Sequence, residues 1–217
     1  DDFPFKEKDI VAGEKLLRKL WNASKLVEHL APEAADEPDE LAPLDEWILA
    51  ELDAIVESTT EQFRDYEFAK ARDRLRTFFW NTFCDDYLEI AKQRVEDSDD
   101  PRSTQYALQT AHRTFLQLFA PLMPHITEEL WHDMYVEGDA TDSIHTRDWP
   151  APRGYEADLE GGEAAMAVIG ALRRYKSENQ LPLNEPLDHV AVYGNVDGFT
   201  DAIAGVMHVE EFELLDS

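Results

Sequence analysis

Residues 6–25, KEKDIVAGEKLLRKLWNASK, carry six cations (Lys6, Lys8, Lys15, Arg18, Lys19 and Lys25) against three anions (Glu7, Asp9 and Glu14). This stretch of net +3 sits in a 217-residue chain with 47 acidic and 20 basic side chains, a formal charge of −27. Positive charge concentrated on so acidic a background points to a polyanionic partner. On a helical wheel of 100° per residue, Lys8, Lys19 and Asn22 fall within about 40° of Lys15, and Arg18 and Lys25 within about 80°. Leu16, Leu17, Leu20, Val27 and Leu30 fill the arc from about 60° to 200° and face a core. Leu26 alone sits among the cations. Cations around an apolar platform suit single-stranded nucleic acid, where phosphates are neutralised and a base face is covered. An ordinary solvated helix face has the same pattern, and spacing alone leaves both readings open.

The remaining chemistry-bearing residues are less pointed. Arg64, Lys70, Arg72, Arg74 and Arg76 total +2 over residues 64–76 once Asp65, Glu67 and Asp73 are counted. Arg72 and Arg76 share one helix face, where they can pair with nearby acids or touch RNA backbone. Arg173, Arg174 and Lys176 form a third cationic island. In HITEELWH (125–132), His125/Glu129 and Glu128/His132 have the i, i+4 spacing of metal ligands, but on two neighbouring faces and without His-Glu-x-x-His order, so no metal site is expected. Cys84 lies in an aromatic-rich helix and reads as a buried, inert thiol. Adjacent acids such as Asp85 and Asp86 diverge around a helix, and no glycine-rich phosphate loop occurs. The chain is expected to bind rather than to catalyse, with no cofactor of its own.

The elements that must position these residues are helical. A first helix runs from about Asp9 to Leu30 and a second from Pro43, a good first-turn residue, to about Asp65. A third, Phe68 to Val95, carries Phe68, Ala71, Leu75, Phe78, Phe79, Thr82, Phe83, Leu88 and Ala91 at helical spacing. A fourth begins near Ser103, after the acidic stop at residues 97–100, and Pro121 and Pro124 should break or kink it. Residues 1–137 therefore read as a helix bundle. Residues 138–162, rich in turn formers, read as a linker with a possible short strand. Residues 163–217 read as a small α+β domain: a helix over 163–177, strands at 189–193 and 208–214, and a short helix over 199–205. The fold class is mainly α.

Acidity is spread along every segment, and arginines outnumber lysines by 12 to 8. Such uniform negativity reads as adaptation to a salty interior, where self-repulsion is screened; dilute buffer should loosen the fold. One cysteine excludes an intramolecular disulfide and fits a reducing cytoplasm. The start lacks the basic-then-apolar order of a signal peptide, and no apolar run approaches the ~20 residues of a membrane span. A soluble, cytoplasmic protein is expected. Its opening without methionine reads as a piece of something longer.

The segment EKLLRKLWNASKLV (14–27) resembles the start of the anticodon-binding bundle of class I aminoacyl-tRNA synthetases, and KLWNA is closest to the valyl members of archaeal type. LDEWIL (44–49), YEFAKA (66–71), FFWNTFCDDYLEIAKQR (78–94), LFAPLMPHITEELW (118–131) and DWP (148–150) agree in order and spacing. The resemblance covers about residues 1–150. It implies a tRNA anticodon-binding fragment, with a valine-accepting tRNA and the upstream remainder of the synthetase as partners and no role with DNA. ATP and Mg would serve the full-length ligase; its two active-site signatures, His-Ile-Gly-His and Lys-Met-Ser-Lys-Ser, are missing here. Lys8, Lys15, Arg18, Lys19, Asn22, Lys25 and Leu26 are then the candidate anticodon contacts. Lys19 is the lysine of KLWNA, and Leu26 stands where relatives often place a stacking aromatic. Arg72 and Arg76 are candidate backbone contacts, and Trp21 is assigned a structural role. The alternatives are the same domain from an isoleucyl or leucyl synthetase, or an acidic helical interaction module without RNA.

Overall fold

A computed structural model of the chain describes residues 7–136 and 142–215, with side chains from residue 10 onward. Lys6, the Lys8 side chain and linker residues 138–141 lie outside the described residues. Helix α1 spans Glu7–Leu30 and α2 Pro43–Arg64, with Pro43 in its first turn. A single helical rod follows: α3 Phe68–Thr77, a π-helical segment Phe78–Tyr87, and α4 Leu88–Asp97. Next come α5, Arg102–Phe119, and α6, Pro124–Tyr135. The chain breaks between them, as the two prolines require. Helix α1 packs on α5 and α6, and α2 on α3 and α5. An aromatic core fills the centre, where Phe115 lies 5.1 Å from Phe79 and 4.9 Å from Phe83 between ring centroids.

The π segment has a cause in the sequence. Ala71, Leu75, Phe79, Phe83, Tyr87 and Ala91 are all buried and recur every four residues. At 3.6 residues per turn each such step advances about 40°, so the six would wind about 200° around a regular α-helix and leave the core. The i→i+5 bonding of π turns widens the helix and brings the stripe back into register. The apolar spacing over residues 68–95 predicts one uninterrupted α-helix, since a regular helix turns a constant step of about 100° per residue; the π segment is the departure from it.

After α6 a 3-10 turn spans Ile144–Thr146, and no strand occurs among the described residues 142–158. Glu128 holds this turn, accepting from Ser143 Oγ and the Ile144 amide at 3.0 Å each. Burial alone would raise its pKa; these bonds and the nearby His145 and His132 hold it below the usual carboxylate value. Glu128 of HITEELWH thus anchors a loop, and among the described residues no cluster of ligand-type side chains converges.

Helix α7 spans Leu159–Glu178, beginning four residues before the expected position. Gly161 and Gly162, read as linker residues, are its first turn. A Cβ on Gly162 would lie 2.1 Å from Trp47 Cδ1, so glycine is what lets α7 lie against α2. Strand β1 (Leu187–Tyr193), helix α8 (Thr200–Met207) and β2 (Val209–Leu215) complete the tail. The strands pair in parallel, Leu187 opposite Val209 and Val192 opposite Leu214. Gln93 Nε2 on α4 donates to the Val206 carbonyl at 2.7 Å, a second tie between tail and bundle. Lys176, counted above with a cationic surface island, is fully buried. Its ammonium donates to the carbonyls of Leu183, Glu185 and Met207 at 2.7–2.8 Å. Burial lowers its pKa. Lys176 staples the tail and offers nothing to a surface ligand. No described helix is long and apolar enough to cross a membrane.

Candidate nucleic-acid interface

Helix α1 buries Leu16, Leu20, Ala23, Val27 and Leu30 and turns its cations outward, as its periodicity requires. The apolar arc is narrower than the wheel drew it, since Leu17 remains 42% exposed. Most of the cations are not free. Arg18 pairs with Glu14 at 2.6 Å, one turn earlier on the same helix. Lys19 reaches across to Asp85 on the π segment, also at 2.6 Å, and lies 5.4 Å from the Trp80 ring centroid. Lys25 bridges Glu28 at 3.0 Å and Asp133 of α6 at 3.1 Å, and these bonds raise its pKa. Arg72 pairs with Asp73 at 2.9 Å.

The π geometry explains how Lys19 can touch both Trp80 and Asp85. Residues five apart stand about 140° apart on an α-helix, but nearly one above the other where the backbone bonds i to i+5. These ion pairs are at the surface, so each is worth about 1 kcal/mol or less and weakens with salt. A phosphate can displace such a carboxylate at small cost. The face is therefore cationic with exchangeable partners rather than cationic and bare.

Lys15 and Arg76 differ from the others. Both are exposed, and neither meets a carboxylate among the described residues. They line a groove of about 590 Å³ between α1 and the α3–π junction, with Val11, Ala12, Thr77, Trp80 and Asn81. The structure thus brings Lys15, Lys19 and Arg76 together around Trp80, while Arg72, Arg18 and Lys25 lie outside the groove. Asn22 is exposed with no hydrogen bond among the described residues.

Two positions, Leu26 and Trp21, depart from the sequence reading. Leu26 is half-buried and packed against the core, so it is not an open platform among cations. Trp21, assigned a structural role, is instead 37% exposed, with the Lys25 ammonium 5.2 Å from its ring centroid. Trp80 and Asn81 were missed altogether. The signal for Trp80 was its place one turn beyond Arg76 in FFWN, and the π segment hid that face from an α-helical wheel.

Nothing nearby has the makings of a nucleophile or an acid–base pair. Burial pushes the Cys84 thiol up to about 12, and Asp86 is raised by burial and by neighbouring Asp85.

Residues 45–192 match the family described as "Anticodon-binding domain of tRNA ligase", from the start of α2 to the end of β1. The matched stretch runs through residue 163 without a break, so α7 and β1 fall within it. The whole chain is 64% identical over 217 residues to a valine–tRNA ligase of Haloarcula marismortui, covering 24% of that protein. It is 39% identical over 228 aligned positions to one from Methanothermobacter thermautotrophicus and 35% to one from Pyrococcus furiosus, in each case over 99% of this chain and about a quarter of the relative. The chain spans about a quarter of the length of the relatives it matches. With a helical bundle, an outward cationic face and more than half its length under the family match, the chain belongs to the anticodon-binding domain family of tRNA ligases.

Proposed function

We propose that this chain is the anticodon-recognition part of a valine–tRNA ligase and that it holds a valine-accepting tRNA against the face formed by α1 and the π segment. Identity to valine–tRNA ligases along the whole chain, α1 included, carries this reading. Lys15, Lys19, Lys25 and Arg76 meet phosphates, exchanging Asp85 and Asp133 for RNA oxygens where they are paired. Trp21 and Trp80 supply base-stacking surface, which matters more than usual here. In concentrated salt counterion release contributes little, so stacking, shape and hydrogen bonding must carry more of the affinity. The intact ligase would use ATP and Mg to attach valine, in the cytoplasm, with its chemistry in other parts of the protein. Binding energy gathered by this chain would serve to position the tRNA relative to those parts.

Competition binding tests the assignment. Labelled valine-accepting tRNA bound to the chain should be displaced by unlabelled valine-accepting tRNA. It should resist isoleucine- and leucine-accepting species at about tenfold or greater excess. Equal displacement by all three would overturn the valine assignment.

A further inference from the structure

We propose that the aromatic cluster at the α2–α3 turn, Phe63, Tyr66, Phe68 and Trp149, is a docking surface for protein, and that its occupant is another part of the intact ligase. This reading rests on the ligase assignment proposed above and concerns a surface that the tRNA face does not use. Tyr66 is its centre. Helix α2 ends in a Schellman motif, with the Glu67 amide donating to the Gln62 carbonyl at 2.8 Å and the Tyr66 amide to the Phe63 carbonyl at 3.2 Å. Tyr66 fills the left-handed position of that motif, φ 61°, where glycine is usual and a bulky side chain is strained. Its ring is nonetheless 82% exposed, more than any other large apolar side chain among the described residues. The ring therefore contributes little to the fold that glycine would not, whereas a contact from outside the chain would bury it.

Its neighbours extend the ring into a patch. Phe68, 47% exposed, meets Tyr66 edge-on at 5.9 Å and Phe63 at 5.4 Å between centroids. Trp149 comes in from the segment after α6 and lies 5.4 Å from Phe63; its Nε1 donates to Thr60 Oγ1 at 2.7 Å, which fixes the indole. Contiguous exposed aromatics beside an exposed arginine, here Arg64, are the side chains that dominate protein interfaces. RNA fits less well. Glu61, Asp65, Glu67 and Asp148 are all exposed and outnumber Arg64 and Lys70, and Lys70 already pairs with Glu67 at 2.8 Å. Place in the bundle points to the occupant. Val11 and Lys15 lie level with Arg76 and Thr77, and Lys19 with Asp85, so α1 and α3 run the same way and begin at the same end. The patch is at that end. The chain covers 24% of its Haloarcula relative, so most of such a ligase lies outside it. Any part of the ligase joined ahead of α1 is delivered to this end at high local concentration. Concentrated salt screens ion pairs and leaves apolar contact in force, which suits an aromatic joint.

Hydroxyl-radical footprinting read by mass spectrometry tests this by comparing the isolated chain with the intact ligase that contains it. Tyr66, Phe68 and Trp149 should oxidise several-fold more slowly in the ligase; equal rates would overturn the proposal. Tyr66→Gly suits the left-handed backbone, so it should raise the unfolding midpoint of the isolated chain. A lowered midpoint would show that the ring serves the chain's own fold and would overturn the proposal. In the intact ligase, Tyr66→Gly with Phe68→Ser should return Trp149 to the oxidation rate of the isolated chain, and a rate that stays slow would count against these side chains as the joint. The same pair should leave tRNA affinity of the isolated chain unchanged, since neither residue lies on the α1–π face. Slow oxidation in the ligase together with no tRNA binding by the unaltered chain would support the docking surface and remove the RNA reading. Slowed oxidation of the isolated chain on adding tRNA would reassign the patch to RNA. Slowed oxidation on concentrating it, with a dimer in sedimentation, would reassign it to a second copy; either result overturns the proposal.

Discussion

Asp45→Ala should destabilise the chain by about 3–5 kcal/mol, enough to unfold many domains of this size outright. The Asp45 carboxylate is fully buried in the first turn of α2. It accepts from Tyr87 Oη at 2.7 Å, Arg94 at 2.5 Å, Ser103 Oγ at 2.6 Å and Thr104 Oγ1 at 3.1 Å. One side chain thereby ties α2 to the π segment, α4 and α5. Removing it strands the Arg94 guanidinium, only 21% exposed, and three hydroxyls, and their desolvation is no longer compensated. Burial and the Asp45 charge already push the Tyr87 hydroxyl pKa up, as expected of a proton donor locked onto a carboxylate. Denaturant unfolding of wild-type, Asp45→Ala and Asp45→Asn chains in concentrated KCl would show this. The asparagine variant keeps the shape and part of the hydrogen bonding, so it should lie between the others. A loss under about 1 kcal/mol for Asp45→Ala would show that the network contributes little.

The second large effect is a dependence on acid centred on His112. This imidazole is fully buried between α1 and α6, with Nε2 2.7 Å from Ser24 Oγ and Nδ1 2.6 Å from Tyr135 Oη. The Ser24 hydroxyl already donates to the Leu20 carbonyl at 2.8 Å, so it accepts from Nε2–H, and Nδ1 accepts from Tyr135. That arrangement suits the neutral ring. Burial, followed by the charge of adjacent Arg113, lowers its pKa from 6.5 to about 3. The unfolded chain therefore takes up a proton that the folded chain refuses. Stability is full above pH 6.5 and falls by about 1.4 kcal/mol per unit as pH drops from 6.5 toward 3, on the order of 4–5 kcal/mol in all. Glu51 and Asp86 are raised by burial and act in the opposite sense, so the comparison is best made in the window from about 6.5 to 5, just below the ordinary histidine value and above the ordinary carboxylate ones. In that window the stability slope of a His112→Gln chain should be flatter than that of wild type by most of one proton. Identical slopes would remove His112 from the account.

The elements were legible in the sequence wherever a local signal decides them. Pro43 marks the start of α2, Pro121 and Pro124 break the chain after α5, and the apolar stripe of α1 ends at Leu30. Reading failed where a residue's role depends on something distant. Gly162 looks like a loop residue until Trp47, more than a hundred positions earlier, is seen against it. Lys176 looks like surface charge until three carbonyls from the tail surround it. The interface divides in the same way. Spacing placed the α1 cations on an outward face but could not foresee Asp85, 66 residues from Lys19, or Asp133, 108 from Lys25. Nor could it foresee that Leu26 would be half covered and Trp21 left open. The π segment concealed most, because five-residue spacing that looks incoherent on an α-helical wheel stacks Trp80 and Asp85 beside Lys19.

These pairings sharpen what the acidic chain must do to hold RNA. A surface of net charge −27 repels a polyanion at long range, so recognition has to be local. The cations of α1 and Arg76, with the exposed indole of Trp21 and the half-buried one of Trp80, form a patch with both attractions available at short range.

The most direct test is equilibrium binding of valine-accepting tRNA to the chain carrying Lys15→Glu together with Lys19→Glu, across a KCl series in which circular dichroism shows both proteins folded. The account predicts affinity lower by at least about tenfold and a shallower dependence of log K on log salt. Wild-type affinity and slope in the folded double variant would contradict it.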